Sequence, residues 1–454
     1  MAEHCLRNDS GQPETTCSRV ANDVSITEQR PPFQRATRAN RRRLLTRLAP
    51  GALLTFAARS AARAAEVEAR ALWVNRFEYS SASDVKRIVR RAAGANFNII
   101  YFQVRGAADA LYESRLEPCA VVLCGRLGGE LPYDPLAVVI READRHGIEV
   151  HAWLNALSGW PAGSAEACRL LAQPDGEQPR HVLLGHPDWG MVDADGAPMA
   201  CPNGEEYVYL SPAHPGVRRA LARVARDVAR RYAVRGVHLD RIRYPGRRWS
   251  YDPASLAAFG SDPAAEPEAW DQFRRGLIDR TVRETHRALQ AVDPTLVLSA
   301  AVWPIYRDRW GWNSSEGYSW YFQDPRAWAR DGYLDVAVPM TYDPITATRC
   351  DRADWACLLD DHLEGIQEAT DRHVYIGINA RNGGEEILRA IKLGRQRGVA
   401  GFAIYSFGQL DRRDLWATLA DGPFRAPAAV PAQPWKLEEI LPDDGTGGPA
   451  TAEA

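Results

Sequence analysis

The chain has 454 residues, of which 45% are hydrophobic and 25% are charged, and its formal net charge is -2 at pH 7. This composition is typical of a globular protein with a sizeable core, and about 250 residues suffice for one barrel domain. The near-neutral charge, with no basic run interleaved with aromatic residues, excludes a nucleic-acid partner. No Gly-x-Gly-x-x-Gly follows the first predicted strand and no Gly-x-x-x-x-Gly-Lys occurs, which excludes nucleotide binding and predicts no cofactor.

Residues 1–65 are predicted to be a polar leader followed by an export signal. Three arginines at 41–43 precede an apolar segment from Leu48 to Ala58 and the small-x-small site Ala62-Arg-Ala64. This order predicts cleavable export of the twin-arginine kind and a periplasmic or secreted protein. The apolar segment is too short for a transmembrane span, and no cysteine follows it that would carry a lipid anchor. An exposed amphipathic helix in a cytoplasmic protein is the alternative.

Eight cysteines leave the redox compartment open. Cys119 and Cys124 share one predicted loop, and Cys350 and Cys357 share another, so local disulfides are possible after export. Free buried thiols are the alternative. None of the cysteines has the Cys-x-x-Cys spacing of a zinc site.

From residue 70 onward, predicted strands and helices alternate. The strands are Arg70–Val74, Asn98–Val104, Glu149–Leu154, a run from Gly236 that ends in Asp240, Leu296–Val302, Leu334–Met340, Val374–Ile378 and Gly401–Tyr405. The helices are Ser83–Ala93, Asp134–His146, Pro215–Tyr232, Trp270–Ala291, Trp355–Thr370 and Gly384–Arg397. Eight alternating units predict an α/β protein with a single (β/α)8 TIM barrel, over about residues 66–422. Residues 423–454 are rich in proline and acidic side chains and are predicted to be a disordered tail.

The stretch from Gly236 to Gly246 provides the first catalytic candidate. It is apolar at its start and then presents His238, Asp240, Arg243 and Tyr244. In parallel α/β proteins the carboxyl ends of the strands carry the binding and catalytic side chains. We therefore expect Asp240 to be catalytic, whereas a lone Asp there would cap the following turn or pair with Arg241 or Arg243.

Polar and aromatic side chains follow all eight predicted strands. Amides, carboxylates, guanidinium groups and aromatic rings recur, which is the mixture that binds sugar hydroxyls and the C–H faces of pyranose rings. The predicted substrate-binding residues are Asn75, Gln103, Arg105, Asp109, Trp153, Asn155, His238, Arg243, Tyr244, Trp303, Tyr342, Asn379 and Tyr405.

Several motifs resemble one known family in order along the chain. They are Phe102–Pro118, Gly129–Leu136, Gly147–Asn155, Pro187 with Trp189, Gly236–Pro245, Ser299–Trp303 and Val338–Tyr342. They resemble the glycosyl-hydrolase-like family 10 of bacterial envelope proteins. The resemblance implies a TIM barrel and an exported glycosidase acting on peptide-free (denuded) peptidoglycan or an amino-sugar polysaccharide, with envelope protein partners still to be identified.

The chain departs from the family pattern at residue 241. Members carry two consecutive acids at the end of strand four, and here Asp240 matches the first while Arg241 replaces the second. A glycosidase needs two carboxyl groups, so the partner must come from another strand. Asp343 is the best-placed candidate, followed by Glu78, Asp109 and Glu316; the alternative for Asp343 is an Asp-Pro turn.

The resulting mechanism has Asp240 and Asp343 flanking the scissile bond. Arg105, Asn155 and Tyr342 would bind hydroxyls, Trp153 and Trp303 would stack on sugar rings, and Arg243 would keep Asp240 ionised. Two other classes of function remain possible for the chain on the sequence alone. A non-catalytic glycan-binding barrel is favoured by Arg241, and a metal-dependent hydrolase would use His151, His238 and Asp240, although no metal site is expected.

Overall fold

The protein is a closed barrel of eight parallel strands. The computed structural model describes residues 66–172, 179–346 and 350–438. The barrel strands are β1 (Ala69–Val74), β2 (Ile99–Arg105), β3 (Glu149–Asn155), β4 (Gly236–Asp240), β5 (Val297–Val302), β6 (Val336–Pro339), β7 (His373–Asn379) and β8 (Gly401–Tyr405). They pair in sequence order and β8 closes onto β1, which confirms the predicted TIM barrel.

Both faces of each strand are covered, which explains why the strands are nearly continuous apolar runs. Along β1, Ala71 and Trp73 face the barrel interior, whereas Leu72 and Val74 pack against the outer helices. Small and large side chains alternate inside the barrel, so that Ala403 lies in the same inner cluster as Tyr101 and Tyr375. The interior is therefore a packed core and not a pore.

The outer layer of the barrel is built from helices. They are α1 (Ala82–Gly94), α2 (Pro135–Asp144), α3 (Pro215–Arg231), α4 (Pro267–Gln290), α5 (Pro325–Arg330), α6 (Trp355–His362), α7 (Gly384–Gln396), α8 (Phe407–Arg412) and α9 (Trp416–Ala420). At the start of α1, Ser81 and Asp84 form a reciprocal capping box. Short helices also span Val121–Cys124, Ala165–Ala172, Val182–Gly185 and Pro253–Phe259.

Helices α1–α4 and α7 lie within about three residues of predicted helices, whereas α5, α8, α9 and the short helices were not predicted. Helix α5, which begins after the capping residue Asp324, was not expected because six residues are too few to show a helical period. The predicted helix 355–370 is continuous only to His362 and then becomes a π-helical segment, Leu363–Gln367, and a last turn, Glu368–Thr370. Gly365 in that segment leaves room for Arg326 of α5, because a Cβ there would lie 2.2 Å from the Arg326 Cζ.

The excursion after β3 folds back over the barrel as a pair of antiparallel strands joined by a long connection, and this pair is here called the hairpin. Its strands are Ser158–Pro161 and Tyr207–Tyr209. A disulfide between Cys168 and Cys201, which the sequence spacing did not indicate, ties the chain together within the excursion. Of the two alternatives for the other cysteines, the structure has the disulfides Cys119–Cys124 and Cys350–Cys357 and not free thiols.

The predicted disordered tail is wrong for residues 423–438. Phe424 is fully buried, Ala428–Ala429 pairs with Glu66–Val67, and helix Trp435–Glu438 carries two side chains that bond to Asp335. Trp435 Nε1 donates to Asp335 at 2.8 Å and Lys436 Nζ lies 2.9 Å from the same carboxylate. A few buried anchors thus order a segment whose average composition is typical of disorder.

The leader, the export signal and the last sixteen residues lie outside the described residues. Within the described ranges, no helix is long and apolar enough to cross a membrane.

We expect Lys436→Met to lower the free energy of unfolding by about 3 kcal/mol, because it leaves the buried Asp335 carboxylate without its cationic partner. Urea denaturation followed by tryptophan fluorescence measures the change. Lys392→Met, at an exposed position, is the control and should change the free energy by less than about 0.5 kcal/mol. Equal effects of the two substitutions would show that the tail segment does not stabilise the barrel.

Candidate active site

Asp240 is the last residue of β4 and lies at the rim, meaning the carboxyl ends of β1–β8 and the loops that follow them. Its side chain is 12% exposed, and its Oδ1 accepts a hydrogen bond of 2.6 Å from the Arg241 amide. Arg243 Nη1 lies 3.5 Å from the same oxygen. Arg241 has a left-handed backbone, with φ of 53°, which turns the chain sharply after Asp240. A donor and a positive charge therefore hold the carboxylate in place at the barrel mouth.

Aromatic rings from three strand ends surround the mouth near Asp240. Tyr342 and Tyr405 stack with ring centroids 5.5 Å apart, and the Trp73 ring meets both edge-on at 6.5 and 6.1 Å. Burial raises the pKa of the Tyr342 hydroxyl, and the nearby Tyr405 and Asp240 raise it further, while Arg243 opposes them. The ends of β4, β6 and β8 thus converge on one space.

Asp343, three residues after Met340, lies on the same rim and is half-buried. Burial raises the pKa of its carboxyl group, the negative charge of Asp354 adds to this effect, and a hydrogen bond from its own backbone amide opposes it. No side chain in the described part of the chain donates a hydrogen bond to its carboxyl group. Burial and the neighbouring Asp354 charge therefore shift the pKa of Asp343 upward.

The other candidate acids hold loops together. Glu78 accepts hydrogen bonds from Ser406 Oγ, the Gly408 amide and the Asn75 amide. Burial raises the pKa of Glu78, although these three donors oppose the shift. In the same way, Asp109 accepts from the amides of residues 106 and 107, and Glu316 accepts from the amide of residue 308 and the hydroxyl of residue 319. Because Glu78, Asp109 and Glu316 all bond within the protein, Asp343 remains the better candidate for the second catalytic carboxyl group.

His238 lies below the mouth and is fully buried, so its predicted contact with substrate is wrong. Trp73 Nε1 donates to its Nε2 at 3.0 Å, and its Nδ1 lies 2.9 Å from Ser299 Oγ. Burial lowers the pKa of His238 well below the ordinary value, with His151 adding to the effect, so the ring is neutral. With both nitrogens bonded, His238 cannot also bind a metal, and no three metal-ligating side chains cluster in the described ranges.

Arg105 is a structural residue, which corrects its predicted role in binding hydroxyls. It is buried, its Nε and Nη2 pair with Glu117 at 2.8–3.0 Å, and its Nη1 donates to the carbonyls of Asn155 and Ala156. Every part of the guanidinium group is occupied within the protein. Arg105 therefore joins the loop after β2 to the end of β3.

Gln103, Trp153 and Asn155 form a buried network under the rim. Asn155 Oδ1 accepts from Gln103 Nε2 at 3.2 Å and from Trp153 Nε1 at 3.1 Å, while its Nδ2 donates to the Gly106 carbonyl at 2.9 Å. All three side chains are nearly inaccessible. Their polar groups satisfy one another, which corrects the predicted roles of Asn155 and Trp153 in direct sugar contact.

Three further predicted contacts have local roles. Tyr244 is fully buried and its hydroxyl accepts from Ser250 at 3.2 Å, so its predicted sugar contact is wrong. Asn75 Oδ1 accepts from the Phe77 amide, and Asn379 Oδ1 caps the turn that follows β7.

Trp303 follows β5 and remains partly accessible at the mouth. Its Nε1 donates to the Ser315 carbonyl at 2.7 Å. The centroids of the Trp303 and Tyr321 rings are 4.0 Å apart. The Arg243 guanidinium carbon lies 5.4 Å from the Trp303 ring centroid. Trp303 is thus connected to Asp240 through Arg243.

The hairpin adds residues to the site that the sequence did not indicate. Arg76 Nη2 donates to the Tyr207 hydroxyl at 3.0 Å, and Arg241 Nη1 donates to the Tyr209 hydroxyl at 3.2 Å. Arg241 also forms an ion pair with Glu206. Arg241 therefore attaches the hairpin to the end of β4. The alternation in Glu206-Tyr-Val-Tyr209, between two loop-rich stretches, was the available signal, because it puts both tyrosines on one face.

A family model described as glycosyl hydrolase-like 10 matches residues 68–390. Glycosyl hydrolase YngK of Bacillus subtilis is 27% identical over 374 residues, which cover 76% of this chain and 67% of that protein. Glycosyl hydrolase DigH of Escherichia coli K12 is 27% identical over 293 residues, 62% of each chain. The matched region thus spans about two thirds of the first relative and less of the second.

Solved structures with a similar fold include other carbohydrate-active barrels. The glycoside hydrolase domain of PgaB (BpsB) from Bordetella bronchiseptica aligns with a TM-score of 0.55 at 15% identity, over 78% of this chain and 99% of that one. The catalytic domain of β-amylase from Paenibacillus polymyxa aligns with a TM-score of 0.55 at 12% identity, over 83% and 98%. At these identities the similarity establishes the fold alone.

We expect His238 to stay neutral from pH 8 to pH 5.5, with its proton on Nδ1. Trp73 Nε1 can only donate, so the His238 Nε2 must accept, and burial opposes protonation. Long-range ¹H–¹⁵N spectra of histidine-labelled protein report both features. The signals of the exposed His146 ring in the same spectra serve as the internal reference. Titration of His238 in the same range would contradict the assigned hydrogen bonds.

Proposed function

The chain belongs to the glycosyl hydrolase-like 10 family, and we propose that it is an exported glycoside hydrolase that cleaves a bacterial envelope glycan by carboxylate acid and base chemistry. The observation that carries the proposal is the presence on one rim of two carboxyl groups in opposite environments. Asp240 is next to a guanidinium group, whereas burial raises the pKa of Asp343. Glycoside hydrolysis needs two carboxyl groups, one that donates a proton and one that acts as nucleophile or base.

In the proposed reaction, Asp343 donates its proton to the glycosidic oxygen as the C–O bond breaks. Asp240 acts as nucleophile or activates a water molecule at the anomeric carbon. The Arg243 guanidinium group and the Arg241 amide hold the Asp240 carboxylate in place. The product is two shorter glycans, and the elements of water are added across the broken bond.

The environment of the pair suits a sugar substrate. Tyr342, Tyr405 and Trp303 present aromatic faces around the mouth, and Arg243 lies between Trp303 and Asp240. Aromatic faces pack against the C–H faces of pyranose rings while charged groups bond to hydroxyls. The substrates that we propose are denuded peptidoglycan or an amino-sugar polysaccharide, as the resemblance of the sequence motifs implies. The relatives are named glycosyl hydrolases, which fits a glycan substrate.

The ion pair of Arg241 with Glu206 favours one alternative, a glycan-binding barrel without hydrolysis. In that case the barrel would retain the aromatic and amide groups but would bind glycan without turnover.

We expect Asp240→Asn and Asp343→Asn each to lower kcat/KM for the natural glycan by a factor of about 10² to 10⁴ without unfolding the barrel. Asp343→Asn should also remove the loss of activity that occurs in the wild type as the pH rises through the raised pKa of Asp343. An aryl glycoside with a good leaving group needs no proton, so Asp343→Asn should retain more activity on it than Asp240→Asn does.

Glu316→Gln is the matched control, because that carboxylate bonds within its own loop. Product release is measured by mass spectrometry on amidase-treated peptidoglycan and on partially deacetylated poly-N-acetylglucosamine. Full activity of Asp240→Asn on a substrate that the wild type cleaves would refute the assignment. Binding without release by the wild type would identify the non-catalytic alternative.

The disulfides support the proposal of export. All six cysteines in the described ranges are paired, and the remaining two, Cys5 and Cys17, precede the proposed cleavage site. Disulfides of this kind form in oxidising compartments and are rare in the cytosol.

We expect protein recovered from the native envelope fraction to begin after residue 64 and to contain no free thiol. Intact-mass measurement with and without iodoacetamide tests both points, and Arg41→Lys with Arg42→Lys should reduce export if the signal is of the twin-arginine kind. Reduced cysteines in a full-length cytoplasmic protein would exclude export.

A further inference from the structure

Two aromatic side chains at the rim are exposed to solvent. Phe77 is 69% exposed and Trp320 is 44% exposed, and no other Phe, Trp or Tyr within the described ranges falls in the exposed class. Phe77 follows β1 and Trp320 lies in the loop that follows β5. Because the closed barrel has eight strands in sequence order, β1 and β5 are opposite each other. The two rings therefore lie on opposite sides of the mouth.

A continuous series of contacts connects Phe77 to Asp240. The Arg76 guanidinium carbon lies 4.4 Å from the Phe77 ring centroid, and Arg76 donates to the Tyr207 hydroxyl at 3.0 Å. The Arg241 guanidinium carbon lies 5.2 Å from the Tyr207 ring centroid. The Arg241 amide in turn donates to the Asp240 carboxylate at 2.6 Å.

The series continues from Asp240 to the opposite side. Arg243 lies 3.5 Å from the Asp240 carboxylate and its guanidinium carbon 5.4 Å from the Trp303 ring centroid. The Trp303 and Tyr321 rings are 4.0 Å apart, and Trp320 precedes Tyr321 in the chain. We call the whole series the aromatic–arginine line; its members are Phe77, Arg76, Tyr207, Arg241, Asp240, Arg243, Trp303, Tyr321 and Trp320.

The loop that carries Trp320 is internally braced. Asp308 accepts hydrogen bonds from the amides of Trp310, Trp312 and Ser314, and Glu316 accepts from the Asp308 amide. The Trp320 Nε1 lies against Gly246, where a Cβ would be 3.4 Å away. The exposed ring is therefore held in a defined place beside the loop that follows β4.

Phe77 is held equally well at its own end. Its amide donates to Asn75 Oδ1 at 2.9 Å, and the Arg76 guanidinium group packs on the ring. Single exposed apolar residues are common on protein surfaces and need no explanation. These two differ because both are fixed, both lie at the rim, and a line of side chains suited to sugars joins them through the carboxylate.

Building on the proposed function, we propose that the aromatic–arginine line is the floor of an extended glycan-binding cleft, open at Phe77 and Trp320, in which Asp240 cuts inside a long chain. Sugar rings stack on the exposed Phe77 and Trp320 rings and on the partly accessible Trp303, and hydroxyls accept from the partly accessible Arg241, while the buried members of the line hold these groups in place. Both end rings reach solvent, so the line is open at each of them. Water enters as the internal C–O bond breaks, which leaves two oligosaccharides, one with a new reducing end.

The cleft predicts that the two remote rings contribute most to long substrates. Phe77→Ala and Trp320→Ala should each lower, by about tenfold, the ratio of the affinity for long glycan strands to the affinity for a tetrasaccharide. Leu388→Ala, at a 39% exposed position on α7 away from the rim, is the control and should leave the ratio unchanged. Thermal unfolding of each variant verifies that the barrel is folded.

Binding is measured on the Asp240→Asn background by calorimetry, so that no strand is cut. The probes are size-fractionated peptide-free glycan strands and partially deacetylated poly-N-acetylglucosamine. Loss of long-strand affinity in both ring variants on either probe supports the cleft. If both variants bind long strands as tightly as Asp240→Asn alone, the proposal is overturned.

Early products of the unsubstituted protein provide the second test. Fragments of many lengths in the first few per cent of reaction support internal cleavage, whereas release of one small product from the start overturns it. No cleavage of either glycan, together with the length-dependent loss of affinity, would refute the hydrolase and the internal cut while preserving the cleft as a binding site. Cleavage with no effect of either ring would refute the cleft and preserve the hydrolase.

Discussion

Closure of eight parallel strands is the constraint on which the site depends, because it brings all eight carboxyl ends to one rim. The closure itself rests on the packed interior, where Trp73, Tyr101 and His238 fill the upper layer. Trp73 bonds to His238, and Tyr101 stacks on the His238 ring with centroids 4.0 Å apart. A neutral, fully bonded histidine can occupy that layer at little cost, whereas a charged one could not.

Above this layer the polar groups divide into two kinds. Arg105, Gln103 and Asn155 bond within the protein and hold the loops after β2 and β3. Asp240 and Asp343 lie at the mouth with fewer partners. The first kind fixes the frame, and the second kind is the pair of carboxyl groups that we propose acts on the glycan.

Arg241 links Asp240 to the hairpin. It follows the catalytic candidate directly, adopts a left-handed backbone, and directs its guanidinium group to Tyr209 and Glu206 of the hairpin. An acid at this position would contribute a second carboxylate beside Asp240. The arginine instead binds the hairpin, so that the side chain at residue 241 holds the hairpin beside the mouth.

The sequence by itself determined the barrel, its strands and the place of Asp240, because buried parallel strands are continuous apolar runs and their ends are marked by polar residues. It could not separate a polar residue that faces a ligand from one that bonds to a neighbouring strand, as Arg105, His238 and Tyr244 show. It also missed the hairpin and the packed tail segment, whose partners are distant in sequence. Only the tertiary structure decided these, because the partners of a side chain depend on which strands become neighbours when the barrel closes.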